Sequence, residues 1–439
     1  MASLHRNLNL ETAVIEARAA YETGHPESLK YFQAAQSVMP GGNTRSVLHY
    51  GPFPFTVVKG EGARIWDADG NDYGDFLGEY TAGLYGHNNP IIEAAVAKAL
   101  KNGVVLGGPN IVEAKLARLI CERFHAVERL RFTNSGTESN ILAISAARAF
   151  TGRSDIIVVD RAYHGGVLTF EGKSPLNVPF PIHKITFNQP DDARDTIRRL
   201  GDRLAAVLVE PMIGAGGGIP GDAEFHKALR DTSQEVGALL IFDEVMTSRH
   251  TAGGMQGYYQ ITPDLVSFGK YLGGGLTFGA FGGRADIIDR FDPTKPNAWG
   301  HAGTFNNNIL TMSAGYAGLS EVYTPDVADG LFETGNAFRA AMQADLAKID
   351  VPMQITGLGS MMVFHFADAP PTAPMDPGAS PKELYELLHL DMIERGHFYA
   401  RRGMINLSIA TTQAEMDAFR AAFIDVIEAR APLIREAIG

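Results

Sequence analysis

A lysine and an aspartate follow two short apolar segments near the middle of the chain. Residues 238–242 (ALLIF) form a continuous apolar run, too short for the core of a helix, which leads into Asp243 and Glu244. Such a run predicts a buried parallel strand. A second run, residues 265–268, leads to Lys270. Because the carboxyl ends of parallel strands lie at one edge of a sheet, we expect Asp243 and Lys270 to lie near each other there.

This pair suits a site for pyridoxal phosphate. In such sites a lysine joins the cofactor's aldehyde, and an acid pairs with the nitrogen of its pyridine ring. The acid keeps that nitrogen protonated, and burial beside other cations lowers the pKa of the lysine, so that it is neutral part of the time. In the alternative, Asp243 caps a helix and Lys270 is solvated. It is weakened by Gly273, Gly274 and Gly275, which cost backbone entropy that a plain surface loop need not lose.

Further polar patches lie along the same part of the chain. Residues 134–139 (NSGTES) open an alanine-rich helix. Free N–H groups and the helix dipole make such a start an anion site, and a simple N-cap is the other interpretation. Tyr163 and His164 stand on a glycine-containing loop after an apolar run, where the ring of Tyr163 could stack on a cofactor. Glu210 ends another apolar run, 205–209, which places its carboxylate near the same edge.

The elements that must position these residues alternate along the chain. Short apolar runs and helical stretches follow one another from about residue 114 to about residue 325, the pattern of a parallel sheet with helices on both faces. We therefore predict an α/β fold with a large, mostly parallel domain and a smaller α+β domain, for which 439 residues suffice. We place the boundaries at residues 1–85, which serve the small domain and the site, 86–330, the large cofactor-binding domain, and 331–439, the rest of the small domain.

The composition argues against several classes of function. A net charge of -12 argues against a nucleic-acid partner. The single cysteine, Cys121, rules out an internal disulfide and fits a reducing compartment, so we expect the cytoplasm. No stretch is long and apolar enough to predict a membrane span, and residues 1–26 mix charges throughout, unlike a signal peptide. The predicted site includes no metal ligands.

In this order, the motifs resemble those of the class III aminotransferases of the fold-type I pyridoxal phosphate enzymes. The matching motifs are SGTES at 135–139, YHGG at 163–166, VEP at 209–211, FDEV at 242–245, FGK at 268–270 with GGG at 273–275, and GTF at 303–305. The resemblance extends from about Met39 to the C-terminus. It implies pyridoxal phosphate as the cofactor, a large domain and a small one, and a homodimer whose active sites are shared across the interface.

The resemblance also implies a role for each matching residue. Lys270 is the lysine that joins the cofactor, and Asp243 is the partner of its ring nitrogen. Tyr163 packs on one face of the ring and Val245 on the other, and Thr304 reaches the phosphate in the neighbouring subunit. The other implied cofactor-binding residues are Ser135, Gly136 and Thr137 at the phosphate, with His164 and Glu210.

Two groups of this family are candidates, the β-amino acid aminotransferases of the β-phenylalanine type and the glutamate-1-semialdehyde aminomutases. The aminomutases usually show PGGVNSPVR near the start, TGFR after DEV, and a glutamine-and-acid stretch near the end. Here the corresponding stretches read PGGNTRSVLHY, TSRH and YARRGMINLS. These departures favour the β-amino acid group, whose members share the GTFNNN stretch and an arginine-glycine before the last strand.

Two arginines are candidates for binding the carboxylates of the substrates. The amino donor and the 2-oxo acid acceptor each carry one, and the fork of an arginine matches it. Arg45 lies in a glycine-containing turn close to Tyr50 and two phenylalanines, a mixture suited to an aromatic carboxylate. Arg402 precedes a strand-like segment, and Arg401 competes with it for the role. Tyr80, on a glycine-broken loop, completes the predicted substrate site. A solvated surface position is the alternative for each arginine.

We therefore predict an aminotransferase. It moves the amino group of a β-amino acid, with an aromatic side chain like that of β-phenylalanine, to a 2-oxo acid such as 2-oxoglutarate or pyruvate. Glutamate-1-semialdehyde aminomutase is the alternative within the family. An alternative of a different class is a catalytically inactive relative that serves as a binding protein, and the presence of both Lys270 and Asp243 argues against it.

Overall fold

A seven-stranded sheet lies at the centre of the molecule. The computed structural model describes residues 9–438 except 171, 173 and 377–380. The strands, in chain order, are β1 (Val57–Glu61), β2 (Arg64–Asp67), β3 (Asp72–Asp75), β4 (Arg129–Thr133), β5 (Asp155–Val159), β6 (Ile182–Ile185), β7 (Leu204–Val209), β8 (Met212–Ile213), β9 (Ile219–Pro220), β10 (Leu239–Asp243), β11 (Leu265–Gly269), β12 (Gly279–Gly283), β13 (Met353–Leu358), β14 (Met361–Phe366), β15 (His397–Phe398) and β16 (Met404–Asn406). The central sheet has the order β4-β12-β11-β10-β7-β5-β6. Within its described strands only β12 runs antiparallel to its neighbours, so the predicted mostly parallel sheet is confirmed.

Helices cover both faces of this sheet. In chain order they are α1 (Leu10–Gly24), α2 (Pro26–Gln36), α3 (Pro90–Lys101), α4 (Ile111–Arg123), α5 (Gly136–Thr151), α6 (Pro190–Leu200), α7 (Ala223–Val236), α8 (Gly254–Tyr259), α9 (Ala285–Ile288), α10 (Ile309–Ala317), α11 (Pro325–Leu346), α12 (Lys382–Glu394) and α13 (Gln413–Ile438). In β10, Ile241 belongs to the core cluster of α5, whereas Leu240 and Phe242 belong to the cluster of α6 and α7. Burial on both faces explains why β10 is a continuous apolar run rather than an alternating one.

The pairing of β10 with β11 determines where the predicted site lies. The two strands are parallel, and Asp243 stands opposite Ser267. The chain therefore leaves both strands at the same edge of the sheet, and Lys270 follows the last residue of β11. This is the edge at which an open α/β sheet binds its ligands.

The two ends of the chain share one region of the fold. Strands β1, β2 and β3 form a sheet with β15, and β3 pairs in parallel with β15 between Gly74 and His397. Strands β13, β14 and β16 form a second small sheet. Phe76, from the N-terminal segment, packs in one core cluster with Phe419 and Phe423 of α13. None of the helices in the described part of the chain has the length and apolar character needed to cross a membrane.

Candidate active site

Asp243 is held in place by three hydrogen bonds at the end of β10. Its Oδ2 atom accepts a hydrogen bond of 2.7 Å from Asn140 Nδ2 and lies 2.8 Å from His164 Nδ1. Its Oδ1 atom accepts from the N–H group of Val245 at 3.1 Å. The residue is only 4% exposed. These contacts fix the orientation of a buried carboxyl group, as a partner for a cationic ring nitrogen requires.

Asn140 is a site residue that the sequence did not indicate. It lies in the second turn of α5, is buried, and donates from the same amide group to the carbonyl oxygen of His164 at 3.0 Å. Its one signal in the sequence is an asparagine among the small and apolar residues of a helix that must be buried. A buried amide needs hydrogen-bonding partners, and here they are Asp243 and the His164 loop.

Lys270 has an unusual backbone and an unusual environment. Its φ angle is +54°, in the left-handed region that residues with side chains seldom adopt. Its Nζ atom donates a hydrogen bond of 2.8 Å to the carbonyl oxygen of Tyr80. Burial, together with the positive charges of Arg45 and Arg402, lowers the pKa of Lys270 to about 8. Roughly one amine in ten is then neutral at pH 7, which suits a group that must take up protons.

Glycines let two of the predicted motifs approach their neighbours closely. A Cβ atom at Gly136 would lie 2.7 Å from a methyl group of Val245. A Cβ atom at Gly165, whose φ is +129°, would lie 2.3 Å from Thr137 Oγ1. Any side chain at these two positions would therefore collide with its neighbours. Residues 135–139 therefore pack against both the loop 163–166 and Val245.

The start of α5 faces this same group of residues. Ser135 is the N-cap, and its hydroxyl accepts from the N–H group of Glu138 at 3.2 Å. Gly136 and Thr137 are the first two residues of the 16-residue helix. The plain N-cap interpretation and the anion-site interpretation are compatible here. The hydroxyl caps one N–H group, and the helix start retains the dipole that attracts a phosphate.

Glu210 and Tyr163 connect two loops at the same sheet edge. The carboxylate of Glu210 accepts from the N–H groups of Gly214 at 3.0 Å and Tyr163 at 3.4 Å. Burial raises the pKa of Glu210 to about 7, and Asp243 adds to the increase. The side chain of Tyr163 remains exposed. The structure thus places Glu210 where the sequence predicted it and leaves a face of Tyr163 accessible.

The two predicted arginines lie on the same tyrosine. The guanidinium carbon of Arg45 is 5.6 Å from the centre of the Tyr80 ring, and that of Arg402 is 5.2 Å from it. Arg45 also forms an ion pair with Glu79. The hydroxyl of Tyr80 donates to the carbonyl oxygen of Val47 at 2.9 Å. One residue, Tyr80, thus contacts Lys270 through its backbone and both arginines through its ring.

Two cavities adjoin Arg402. One has a volume of about 290 Å³ and is lined by Tyr163, His365, Arg402 and neighbouring residues. The other, of about 210 Å³, lies between Tyr80, Tyr50 and Phe398. Arg401 lines both cavities as Arg402 does, so position alone does not separate the two arginines. A larger cleft of about 940 Å³ opens at the other end of the sheet and contains none of the predicted site residues.

Thr304 is the predicted residue that lies apart. It is exposed on a surface turn. Asn306, in the same turn, accepts a hydrogen bond of 2.8 Å from Asn134 Nδ2, beside the start of α5. The turn therefore lies beside the start of α5 of its own chain, and Thr304 is exposed there.

These residues fit pyridoxal phosphate. A fixed, buried carboxyl group, a lysine of lowered pKa, a helix start and two glycines without room for a side chain lie together at one sheet edge. In the described ranges, no group of three or more histidine, cysteine or acidic side chains is arranged to hold a metal ion. An arrangement of this kind can bind a phosphorylated aldehyde and transfer protons beside it.

Known proteins resemble this chain over almost its whole length. The family model for class-III aminotransferases matches residues 47–389. The β-phenylalanine transaminase of Variovorax paradoxus is 47% identical over 430 residues, which cover 98% of this chain and 99% of that protein. A crystal structure of a β-phenylalanine aminotransferase from the same organism superposes with a TM-score of 0.95, covering 97% of this chain and 99% of that one.

More distant relatives carry other names. A glutamate-1-semialdehyde 2,1-aminomutase from Geobacillus kaustophilus is 35% identical and covers 88% of this chain and 94% of that protein. An ω-transaminase structure from Sphaerobacter thermophilus is 36% identical, with a TM-score of 0.87, and covers 92% of this chain and 98% of that one. The fold, the site and the family model agree: the chain belongs to the class-III aminotransferases and is a pyridoxal phosphate-dependent aminotransferase.

Proposed function

We propose that this aminotransferase takes the amino group of a β-amino acid with an aromatic side chain and passes it to a 2-oxo acid such as 2-oxoglutarate or pyruvate. The observation that carries the proposal is the placement of Arg45 and Arg402 on one tyrosine whose carbonyl oxygen contacts Lys270. Two cations beside the reacting amine allow two carboxylates to be bound at different distances from it. The identity of 47% to a β-phenylalanine transaminase supports the same donor.

Each residue of the site has a proposed task. Pyridoxal phosphate supplies the electron sink when it is bound. Asp243, oriented by Asn140 and His164, holds the proton on the ring nitrogen. Lys270 would hold the aldehyde group of the cofactor, and its Nζ atom would take up the proton that leaves the amino-bearing carbon of the donor. Ser135, Gly136 and Thr137 bind the phosphate, with His164 and Glu210 supporting the surrounding loops.

The spacing of the carboxylates explains why two arginines are needed. A β-amino acid has one more carbon between its amine and its carboxylate than an α-amino acid. If the amine is fixed at Lys270, this carbon moves the carboxylate of the donor away from that of the acceptor. We assign Arg45 to the donor and Arg402 to the acceptor. Arg45 lies on the ring of Tyr80, which lines the 210 Å³ cavity together with Tyr50, and Arg402 lines the 290 Å³ cavity.

We further propose a homodimer. An exposed apolar segment supports it, since Val105 is 84% and Ile111 78% exposed. Asn307 donates to the carbonyl oxygen of Gly108, so the turn that carries Thr304 lies against this segment. A second copy covering these residues would bring Thr304 to its partner's phosphate site. A sedimentation mass of twice the chain mass supports the dimer, and a fully active monomer contradicts it.

We also propose that the domain boundaries lie at residues 85 and 330, as the sequence predicts. The sharing of a sheet by β3 and β15 supports grouping the two chain ends into one small domain. The cytoplasm is the proposed location, because the single cysteine fits a reducing compartment.

A panel of donors tests the proposed reaction. The enzyme with pyridoxal phosphate bound is assayed with β-phenylalanine, an aliphatic β-amino acid, an ω-amine and glutamate-1-semialdehyde as substrates. The acceptor is 2-oxoglutarate or pyruvate. We expect the highest kcat/KM for the aromatic β-amino acid, with a change in the cofactor's absorbance on addition of the donor alone. Preferred isomerisation of glutamate-1-semialdehyde would favour the aminomutase. An enzyme that binds no chromophore would favour the inert binding protein.

A further inference from the structure

Four consecutive residues at the site have left-handed backbone. Gly78, Glu79, Tyr80 and Thr81 have φ angles of +53°, +48°, +53° and +80°. Three of them carry side chains, and Thr81 is β-branched, a type for which positive φ is a genuine outlier. A turn of this kind persists only where its surroundings hold it. The contacts of Tyr80 with Lys270 and both arginines therefore depend on whatever holds this turn.

The start of the turn is held by two polar side chains. Asp75 Oδ1 accepts from the N–H groups of Leu77 and Gly78, both at 2.9 Å. Asn406 Nδ2 donates to the carbonyl oxygen of Leu77 at 2.8 Å. These contacts fix the residues that precede Tyr80.

The end of the turn is held by Arg249. One terminal nitrogen of its guanidinium donates to the carbonyl oxygen of Thr81 at 3.2 Å. The other donates to the carbonyl oxygen of Leu407, in the segment that follows β16. Arg249 follows DEVMTS, so it joins the loop of Asp243, the left-handed turn and the C-terminal segment that begins just after Arg402.

The position of Arg249 is costly for a cation. The residue is 1% exposed, and burial lowers its pKa. In the described part of the chain no ion pair is formed by its guanidinium, and the neighbours that act on its pKa are Tyr323, Tyr271 and Tyr85. Buried arginines normally have an ion-pair partner. The hydroxyl of Tyr323 donates to the backbone carbonyl of Arg249, which adds to its fixation. Because its guanidinium donates to the carbonyl oxygens of Thr81 and Leu407, the polar contacts of Arg249 hold these two segments together.

We propose that Arg249 is a positioning residue of the active site. It fixes the end of the turn 78–81, so that the Tyr80 carbonyl oxygen stays on Lys270 Nζ and the Tyr80 ring stays in contact with Arg45 and Arg402. This inference rests on the proposed function, because it assigns one shared support to both substrate arginines. It also explains why the TSRH stretch, which departs from the aminomutases, belongs to the site.

The test compares Arg249→Met with Arg249→Lys and with a control, Arg153→Met. Arg153 is partly buried and its guanidinium also donates to two backbone carbonyls, those of Leu204 and Val236, but it lies in the cleft at the other end of the sheet. Two quantities are measured on the full-length chain. One is the affinity for the donor and for the acceptor in separate half-reactions. The other is the pKa of Lys270 in the cofactor-free enzyme, from the pH dependence of its labelling by acetic anhydride.

We expect Arg249→Met to weaken binding of both substrates by about tenfold or more, since small displacements of positioning groups have effects of this size. The pKa of Lys270 should fall further, by about half a pH unit or more, because a displaced Tyr80 carbonyl no longer favours the charged amine. Arg249→Lys, which can reach one carbonyl, should lie between Arg249→Met and the wild type. Arg153→Met should lower the melting temperature and leave both quantities unchanged.

Three results would overturn the proposal. They are wild-type values for both quantities in Arg249→Met, weaker binding of one substrate alone, and equal changes in Arg153→Met. If Arg249→Met does not fold, Arg249→Lys decides by the same criteria. The pKa of Lys270 reports on Arg249 even if the donor proves not to be a β-amino acid, so the two proposals can fail separately.

Discussion

Asn140 and Asp243, which are 103 residues apart in the chain, are joined by a hydrogen bond of 2.7 Å between Nδ2 and Oδ2. The same amide group of Asn140 donates to the carbonyl oxygen of His164, and His164 in turn contacts Asp243. One side chain of α5 therefore orients both the carboxyl group and the loop that carries Tyr163. The proposed task of Asp243 requires this orientation as well as its charge.

Asp243→Asn should bind the cofactor and lose most of its activity. An amide keeps the size of the carboxyl group, but it has one acceptor oxygen where Asp243 uses two, and it cannot hold a ring nitrogen in the protonated state. We expect a fall in turnover of about a hundredfold to a thousandfold. The measurement is single-turnover absorbance after addition of the donor. The control is Glu244→Gln, the adjacent buried carboxyl, which accepts from Met255 and Gln256 rather than facing the site. Near wild-type turnover in Asp243→Asn would contradict the assignment.

Lys270→Ala should abolish steady transamination and leave the fold intact. The start of α5 and Asp243 do not depend on the lysine side chain, so the phosphate and the ring nitrogen keep their partners. Removal of the group that takes up the proton should slow the half-reactions by about a hundredfold to ten-thousandfold. Lys227→Ala, on the exposed face of α7, is the matched control. Turnover by Lys270→Ala within tenfold of the control would mean that another base moves the proton.

The sequence was sufficient for those parts of the site that local pattern determines. Asp243 and Lys270 end short apolar runs, and parallel pairing brings the ends of such strands to one edge, so their proximity followed from the pattern. Asn140 was missed because a helix pattern does not reveal which of its polar residues turns inward. The Arg45–Glu79 ion pair and the contact of Lys270 with a backbone carbonyl were also missed.

The left-handed turn shows why such contacts escape the sequence. It is held by Asp75, Arg249 and Asn406, which come from three separate parts of the chain. Tyr80 and Thr81 have no intrinsic preference for positive φ, so no local pattern predicts it. Tertiary packing alone brings the three supports together, and the position of Tyr80 follows from them.

The buried histidines predict a loss of stability in acid. Burial lowers the pKa of His389 to about 3, and its ring packs between Tyr50, Phe398 and Tyr399. Because the folded pKa lies below the unfolded value of about 6.5, the unfolded chain binds the proton more tightly. The stability contribution is therefore intact above about pH 6.5 and is lost as the pH falls toward 3. At pH 4 this one residue would lower the free energy of unfolding by about 3 kcal/mol.

His389→Phe should remove that part of the acid sensitivity. Phenylalanine cannot gain a proton, so we expect the free energy of unfolding to fall less between pH 7 and pH 4 than in the wild type. Urea unfolding at several pH values measures it. His125→Phe, at an exposed position, is the control, and its free energy of unfolding should depend on pH as that of the wild type does. If the free energy of unfolding of His389→Phe falls with pH as much as that of the wild type, this histidine is accessible to protons in the folded state.

The last prediction separates the two substrate arginines. If Arg45 binds the carboxylate of the β-amino acid, Arg45→Ala should slow the half-reaction in which the donor aminates the cofactor. The half-reaction in which 2-oxoglutarate takes the amino group from the cofactor should be slowed far less. Arg402→Ala should do the reverse, and Arg401→Ala tests whether its neighbour has the role instead. Losing a charge-assisted pair to a bound carboxylate should slow the affected half-reaction by about thirtyfold to five-thousandfold.

Stopped-flow traces of each half-reaction provide the measurement. Glu79→Gln is an informative companion, because Glu79 pairs with Arg45 and must release it when a donor carboxylate binds. Its loss should therefore strengthen donor binding while leaving the acceptor half-reaction unchanged. Equal damage to both half-reactions by each arginine variant would mean that the two substrates share one carboxylate site. The extra carbon of a β-amino acid would then need another explanation, and the proposed donor would lose its main physical support.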